Sequence, residues 1–471
     1  MHRQSLKSFL LSGGLAAALV LGGGLATGAP ARADSLADAL VKAYQTSPLL
    51  ESSRAALRGV DEDLPQARAA RRPQLGASVS LSTQTTAEAI EDQLNDSQAA
   101  LNASLLIFDN GQTKAGVESA RNRIAAGRAD LKSIEQQVLF DAVQAYVQVL
   151  RDQEFVRLAG NDVGRLDETL TATRNRFDVG EVTRTDVSQS ESRLAASRST
   201  LAGARGQLAI SREAYRAAVG AAADNLEPLP SLPKVVDTVA EATAIGVQRN
   251  PQIVAAQFSE RVAVYDFDRA LAAKGPQLSI TAGVGVERGN GGFEGWDGNT
   301  FGQVGISGSL PLYTGGRNDS LVRQAQALLD QRRFELQDTA REVTQSVGQA
   351  WAELIVARAS IVARREQVEA ARIAAEGVAE EARLGARSTL DVLDADQERL
   401  EAEAEVVRAL ADEYIATYGL LQAMGLLTVQ HLKLGIETYD PDVNFTRVRN
   451  GPAGGYDTSA VDRIRARWEK R

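Results

Sequence analysis

Cysteine is absent from this chain of 471 residues. Without a thiol there is no disulfide, no thiolate metal site and no sulfur to carry a lipid at an amino-terminal cysteine. Histidine is nearly absent: His2 stands in the leader described below, and His431 is near the carboxyl end. A Ser/His/Asp or Cys/His set therefore has one imidazole to draw on, and a cluster of imidazole metal ligands cannot be assembled. A solitary histidine outside any motif reads as solvated, so neither catalysis nor a cofactor is expected. Aromatic residues make up 5% of the chain and prolines number 12, which suits long helices rather than a sandwich or an aromatic-rich globule. After residue 33 no stretch approaches 18 uncharged apolar residues, so no membrane-spanning helix is expected. A β-barrel stays open, because its signal is weak in each strand.

What is present starts with residues 1–33, where Arg3 and Lys7 precede an apolar run from 9 to 25 and the small-residue site Ala31-Arg32-Ala33. This reads as a secretory signal peptide cleaved before Asp34. All 61 acidic residues follow it, whereas three of the 52 basic ones precede its end, so the remainder carries 49 minus 61, or -12. An acidic chain of this kind is not expected to bind nucleic acid.

The rest is a duplication. Residues 177–187 (FDVGEVTRTDV) align with residues 383–395 (RLGARSTLDVLDA), with Gly180 and Gly385, and Asp186 and Asp391, each 205 positions apart. Pro48 and Pro251, like Pro73 and Pro276, are 203 apart. A shared offset of this size marks a repeated unit. The reading is a first repeat over 34–230 with a β-hairpin at 73–108, a second over 231–428 with a hairpin at 276–313, and a tail at 429–471. Pro228, Pro230 and Pro233 mark the linker. The tail, with GPAGG and a basic end (Arg463, Arg465, Arg467, Lys470, Arg471), is expected to be extended or partly disordered.

After Pro73 and Pro276 the period of the pattern changes from helical to two. Leu75, Ala77, Val79 and Leu81 alternate with Gly76, Ser78 and Ser80, and Leu278, Ile280, Ala282, Val284 and Val286 alternate with polar or tiny residues. Returning strands are expected around 101–107 and 304–310. Phe293 and Trp296 in the second hairpin loop read as self-packed surface residues. Strands of about ten residues suit a tilted crossing of a bilayer. Four strands cannot close a barrel, since the smallest transmembrane barrels use about eight, so copies of the chain must pool strands. Two copies and three copies both satisfy that count.

Past each hairpin, runs of 68 residues (113–180 and 318–385) contain no proline and little glycine, and as helices they reach roughly 100 Å. Leu131, Ile134, Val138, Ala142, Tyr146 and Val149 follow coiled-coil spacing. Return helices are expected over 186–219 and 391–425, stacked end to end with helices over 48–71 and 251–274. Each Gly followed by Thr or Ser and then Asp reads as a helix end, a turn and a new helix cap. Asp391 and Asp394, three apart, share one face near a helix amino terminus, where the macrodipole favours anions. Taken alone they read as a cap and a solvated face.

G-x-R-S-T-L-D-V-L-D-A at 385–395, followed by the helix that ends in YIATYGLLQAMG at 414–425, resembles the second repeat of the TolC family of outer-membrane exit ducts. VGEVTRTDVSQSESRLAAS at 179–197 resembles the first repeat of its type I protein secretion branch. The resemblance spans nearly the whole chain after residue 33. It implies a mostly α chain with a transmembrane β-barrel: a homotrimer whose twelve strands cross the outer membrane of a Gram-negative bacterium and whose long α-helical coiled-coil tunnel extends into the periplasm. It further implies contact with outer-membrane lipid, and opening by a periplasmic adaptor (membrane fusion protein) and an inner-membrane ABC or proton-driven exporter, for secreted protein or drugs. By the same resemblance Asp391 and Asp394 form an inward-facing ring, and Arg387 with Thr185 and Asp186 holds it shut. Ala382 stands where the family's best-known form has a tyrosine, which removes one link. The rival reading is a soluble periplasmic coiled-coil adaptor or scaffold, which explains the helices but not the two identically flanked strand pairs with an apolar face.

Overall fold

The computed structural model describes residues 34–84, 94–289 and 299–449. The leader at 1–33, Phe293 and Trp296, and the basic end beyond 449 lie outside the described residues. Short helices open the first repeat: α1 (Leu36–Thr46), α2 (Pro48–Asp61) and α3 (Asp63–Ala69). A single helix over 48–71 was expected, but Pro65 falls in the first turn of α3. Its ring excludes the carbonyl four residues back, and it has no N–H to give, so α2 stops at Asp61.

Four strands follow the two proline signals: β1 (Gln74–Gln84), β2 (Leu94–Phe108), β3 (Gln277–Gly289) and β4 (Asn299–Ser309). They form one antiparallel sheet in the order β1-β2-β3-β4, so the two hairpins join through β2 and β3. Among the described residues of one chain, β1 and β4 each have a single neighbour. The register puts Ala77 opposite Leu101, Leu101 opposite Val284, and Ile280 opposite Ile306. Because facing residues share a side and alternate residues do not, Leu75, Val79, Leu101, Val284, Val304 and Ile306 fall on one face, while Leu106 and Phe301 stand on the other. Leu75 is 84% exposed, Val79 76% and Val304 81%.

Long helices α4 (Gln112–Asp178) and α8 (Arg317–Arg383) have 67 residues each, or roughly 100 Å at 1.5 Å per residue. Return helices α5 (Arg184–Val219) and α9 (Thr389–Ala423) have 36 and 35. Between them lie α6 (Val239–Arg249) and α7 (Pro251–Ala272). Helix α5 packs on α4, and α9 packs on α8 and on α4. Helices α2 and α3 also pack on α4, while α7 packs on both α4 and α8. Each long helix is thus paired with a return helix on one part of its length and with pre-hairpin helices on another, as the lengths had implied. Among the described residues, no helix is long and apolar enough to cross a membrane.

The main core lies where α1, α4, α5, α6, α8 and α9 meet, around Leu139, Val143, Tyr146, Val147, Tyr215, Val347, Leu354 and Leu420. Of the spacing read from the sequence, Val138, Ala142, Tyr146 and Val149 are buried in it and Leu131 and Ile134 lie against it. Tyr146 and Tyr215 sit with ring centroids 6.3 Å apart. The Tyr146 hydroxyl points its proton at the carbonyls of Glu227 (2.7 Å) and Asp34 (3.0 Å), which ties the start of the first repeat to its end.

The tail differs from expectation over residues 429–449, which are folded against the body. Glu135 accepts the Val429 amide at 3.0 Å, and the Tyr44 hydroxyl accepts that of Tyr439 at 3.0 Å. The guanidinium of Arg54 stands 4.7 Å from the Tyr44 ring centroid and 5.3 Å from that of Tyr439. A last helix, α10 (Pro441–Val448), docks on α2. Its Asp442 meets Arg128 at 2.7 Å, its Asn444 meets Asp61 at 2.7 Å, and Phe445 lies under Arg128. Composition suggested an unfolded segment because most of these partners are hundreds of positions away.

Candidate pore constriction at the helix bends

Both bends form as the local sequence directs. Gly180 and Gly385 each have φ of +79°, the left-handed conformation that ends a helix without a Cβ penalty. Three residues on, Thr183 and Ser388 cap the return helices in capping boxes. The Asp186 carboxylate accepts from Thr183 N–H at 2.8 Å and from its hydroxyl at 2.7 Å. Asp391 accepts from Ser388 N–H at 2.9 Å and from its hydroxyl at 2.8 Å. These bonds favour the charged form, so both carboxyls are held below the ordinary carboxylate range: Asp186 chiefly through the Thr183 hydroxyl, Asp391 chiefly through the Ser388 amide.

The two bends come together at one end of the molecule. Leu166 and Leu170 of α4, Leu194 of α5 and Leu393 of α9 form a small separate core just behind them. Around that core runs a polar lattice that joins the repeats. Arg165 meets Asp396 at 2.8 Å and Asp162 at 3.3 Å, and the Ser197 hydroxyl donates to Asp162 at 2.5 Å. Arg193 of α5 is ion-paired with Asp394 of α9.

Of the residues singled out from sequence, Asp391 and Asp394 both stand on the first two turns of α9. Thr185 and Asp186 stand at the start of α5, Thr185 exposed. Arg387 is in the second bend, where its Nε donates to Glu381 of its own chain at 2.9 Å. Contact with Glu381 raises the Arg387 pKa above its usual value, and the charge of Asp391 adds a smaller rise. The chain does not itself join Arg387 to Thr185 or Asp186; that link requires a second copy and stays a proposal. Ala382 is buried at the end of α8.

Sequence reasoning missed Arg193, Arg165 and Glu381. Arg193 and Asp394 are 201 positions apart, so no local pattern links them. Glu381 was within reach, six residues before Arg387 across a glycine turn that folds the chain back on itself.

The other face of the sheet is polar and lined with small residues. Asn102 donates to the Ser78 hydroxyl at 3.1 Å, and the Ser279 and Ser307 hydroxyls are 2.9 Å apart. On this face a Cβ at Gly285 would lie 2.8 Å from the Phe301 ring and 2.6 Å from the Ala99 carbonyl oxygen. Phe301 therefore covers a position that only glycine can occupy.

The geometry can be set beside known proteins. The family profile described as "Outer membrane efflux protein" matches residues 39–221 and 247–426. The chain is 33% identical over 436 residues to the outer membrane efflux protein BepC of Brucella suis biovar 1, covering 93% of this chain and 95% of that one. It is 26% identical over 415 residues to the outer membrane protein TolC of Vibrio cholerae, covering 84% and 92%. With the alkaline protease secretion protein AprF of Pseudomonas aeruginosa it shares 28% identity over 316 residues, covering 64% of each. The fold is that of the outer membrane protein VceC of Vibrio cholerae, with a TM-score of 0.72 at 22% identity over 83% of this chain and 96% of that one. By profile and by identity along nearly its whole length, the chain belongs to the outer membrane efflux protein family.

Proposed function

We propose that three copies of this chain form a passive exit duct in the Gram-negative outer membrane, with twelve pooled strands as a barrel and the helices as a periplasmic tunnel. The carrying observation is the sheet. Among the described residues of one chain its two edge strands lack an outer neighbour, and one face presents Leu75, Val79, Leu101, Val284, Val304 and Ile306 to the surroundings. An apolar face of this kind belongs against lipid, and open edges belong against other strands. A soluble adaptor would leave both in water.

The duct passes secreted protein, in line with the name of AprF, an alkaline protease secretion protein, or drugs, in line with the efflux that the family's description names. A periplasmic adaptor and an inner-membrane exporter dock on the bends and open them, and the ring of Asp391 and Asp394 narrows the closed end. Arg387 reaches Thr185 and Asp186 of the neighbouring copy to hold it. No chemical step is assigned to the chain. Electron microscopy of detergent-solubilised particles tests this: three-fold symmetry with a shaft near 100 Å is expected. Monomers recovered in the soluble periplasmic fraction would overturn it.

A further inference from the structure

We infer that Arg193 is a selectivity-determining residue of the duct: it offsets the charge of Asp394 and leaves Asp391 as the one uncompensated carboxylate that each copy contributes to the constriction. The inference rests on the duct and ring proposed above and concerns the charge that the ring carries.

Arg193 lies two turns into α5, seven residues past Asp186, and crosses to α9 to pair its Nη2 with Oδ1 of Asp394. The two side chains are 42% and 56% exposed, so the contact adds little stability. Its electrostatic effect does not depend on that. Two opposite unit charges in contact act at a distance as a dipole, whose field falls away faster than that of a lone charge.

Asp391 is different in kind. Its carboxylate is held by an amide and a hydroxyl, both neutral donors. The cation nearest in sequence, Arg387, is engaged with Glu381 at 2.9 Å. Just past Asp394, Asp396 meets Arg165 at 2.8 Å and Arg399 at 3.5 Å. Arg165 also serves Asp162. Over the first two turns of α9 the acidic side chains are Asp391 and Asp394, and α5 supplies one arginine against them. Around a three-fold axis the ring then carries three net charges rather than six. A constriction of half the charge attracts multivalent cations less and repels acidic polypeptide cargo less.

The test uses the full-length channel in planar bilayers, with hexaamminecobalt(III) added from the periplasmic side and its blocking affinity measured. Arg193→Gln is expected to tighten block by about tenfold, since three compensating charges leave a site whose ion lies within about a Debye length. Arg193→Lys keeps the charge and should block like wild type. Asp394→Asn leaves Arg193 unopposed and should weaken block, and the double variant Arg193→Gln/Asp394→Asn should return to wild-type affinity. Asp391→Asn should abolish block in every background that keeps Arg193. If Asp391→Asn abolishes block while Arg193→Gln leaves it unchanged, the role given to Arg193 is wrong and the ring stands. If Asp391→Asn leaves block intact, the ring itself is elsewhere.

Discussion

The side-chain amide of Asn444 donates to the carboxylate of Asp61 at 2.7 Å, closing a contact between positions 383 residues apart. Asp61 is fully buried, and burial pushes its carboxyl above the ordinary range, while the Asn444 bond and the charge of Arg128 pull the other way and Asp442 adds to the rise. The folded pKa exceeds the unfolded one, so the folded protein binds this proton more tightly than the unfolded chain. The contribution of Asp61 to folding gains as pH falls through the folded value toward the unfolded one, and weakens as pH rises through that window. The denaturant midpoint of wild type relative to Asp61→Asn should therefore rise from neutral to mildly acidic pH. Asp61→Asn removes the titration and should flatten the profile. Equal slopes in the two proteins would exclude Asp61 as the source.

Features set by neighbours in the chain were readable in advance, and those set by distant partners were not. The bends were legible because Gly180 and Gly385 need a left-handed backbone, and Thr183 or Ser388 with the aspartate three residues on satisfies the exposed amides. The strands were legible because alternation fixes a face whatever pairs with it. The join of β2 to β3 was not, since nothing local links Leu101 to Val284. The same holds for the folded tail, where Arg54, Asp61, Arg128 and Glu135 each wait for a partner from beyond residue 428. In the candidate site Asp391 could be found from its cap, whereas Arg193 has meaning only once α5 and α9 are side by side.

Tyr146 anchors both ends of the first repeat through its hydroxyl, which meets the carbonyls of Asp34 and Glu227. Tyr146→Phe keeps the ring contact with Tyr215 and removes the hydroxyl donor from two half-buried carbonyls, of which that of Asp34 still accepts the Glu227 amide at 3.0 Å. A loss of about 0.5 to 1.5 kcal/mol is expected, read as a lower denaturant midpoint for the detergent-solubilised channel. An unchanged midpoint would mean that water replaces the hydroxyl.

Gly425 has φ of +74°, and a Cβ there would stand 2.6 Å from the Arg249 carbonyl oxygen. Strain and collision act together where α9 gives way to the tail and abuts the end of α6. Gly425→Ala should cost more than about 1 kcal/mol and lower the yield of folded channel. Gly315→Ala, also at positive φ (+60°) but with open space around its Cβ, should cost less. Equal losses at the two sites would mean that backbone strain alone governs both.

Val79 on the apolar face and Ser78 on the polar one separate lipid from lumen. Arginine near the middle of a bilayer costs roughly 2 to 4 kcal/mol on the lipid side, and much less where water fills the barrel. Val79→Arg should therefore impair insertion into vesicles far more than Ser78→Arg. Greater impairment by Ser78→Arg would show that the faces are assigned the wrong way round, and equal impairment that they do not divide lipid from water.

Closure of the duct is proposed to depend on Arg387 reaching Thr185 and Asp186 of a neighbouring copy, yet within one chain Arg387 is bonded to Glu381 and Asp186 to Thr183. Those engagements make the latch a competition. If Arg387 acts across copies, Arg387→Ser raises the resting conductance of the channel several-fold, and Glu381→Gln lowers it by freeing the guanidinium for the neighbour. Asp186→Asn also weakens a helix cap, so Thr183→Ala, which disturbs the cap and spares the charge, serves as its control. Beyond that control, Asp186→Asn should raise conductance, and adding it to Arg387→Ser should change little, because both remove one interaction. Ala382, buried at the end of α8, has a side chain that cannot donate a hydrogen bond to support the latch, so the effect of Arg387→Ser should be large. Should Glu381→Gln raise conductance as Arg387→Ser does, the contact that matters is the one inside the bend, where Arg387 stiffens its own turn, and the link between copies is not what keeps the duct shut.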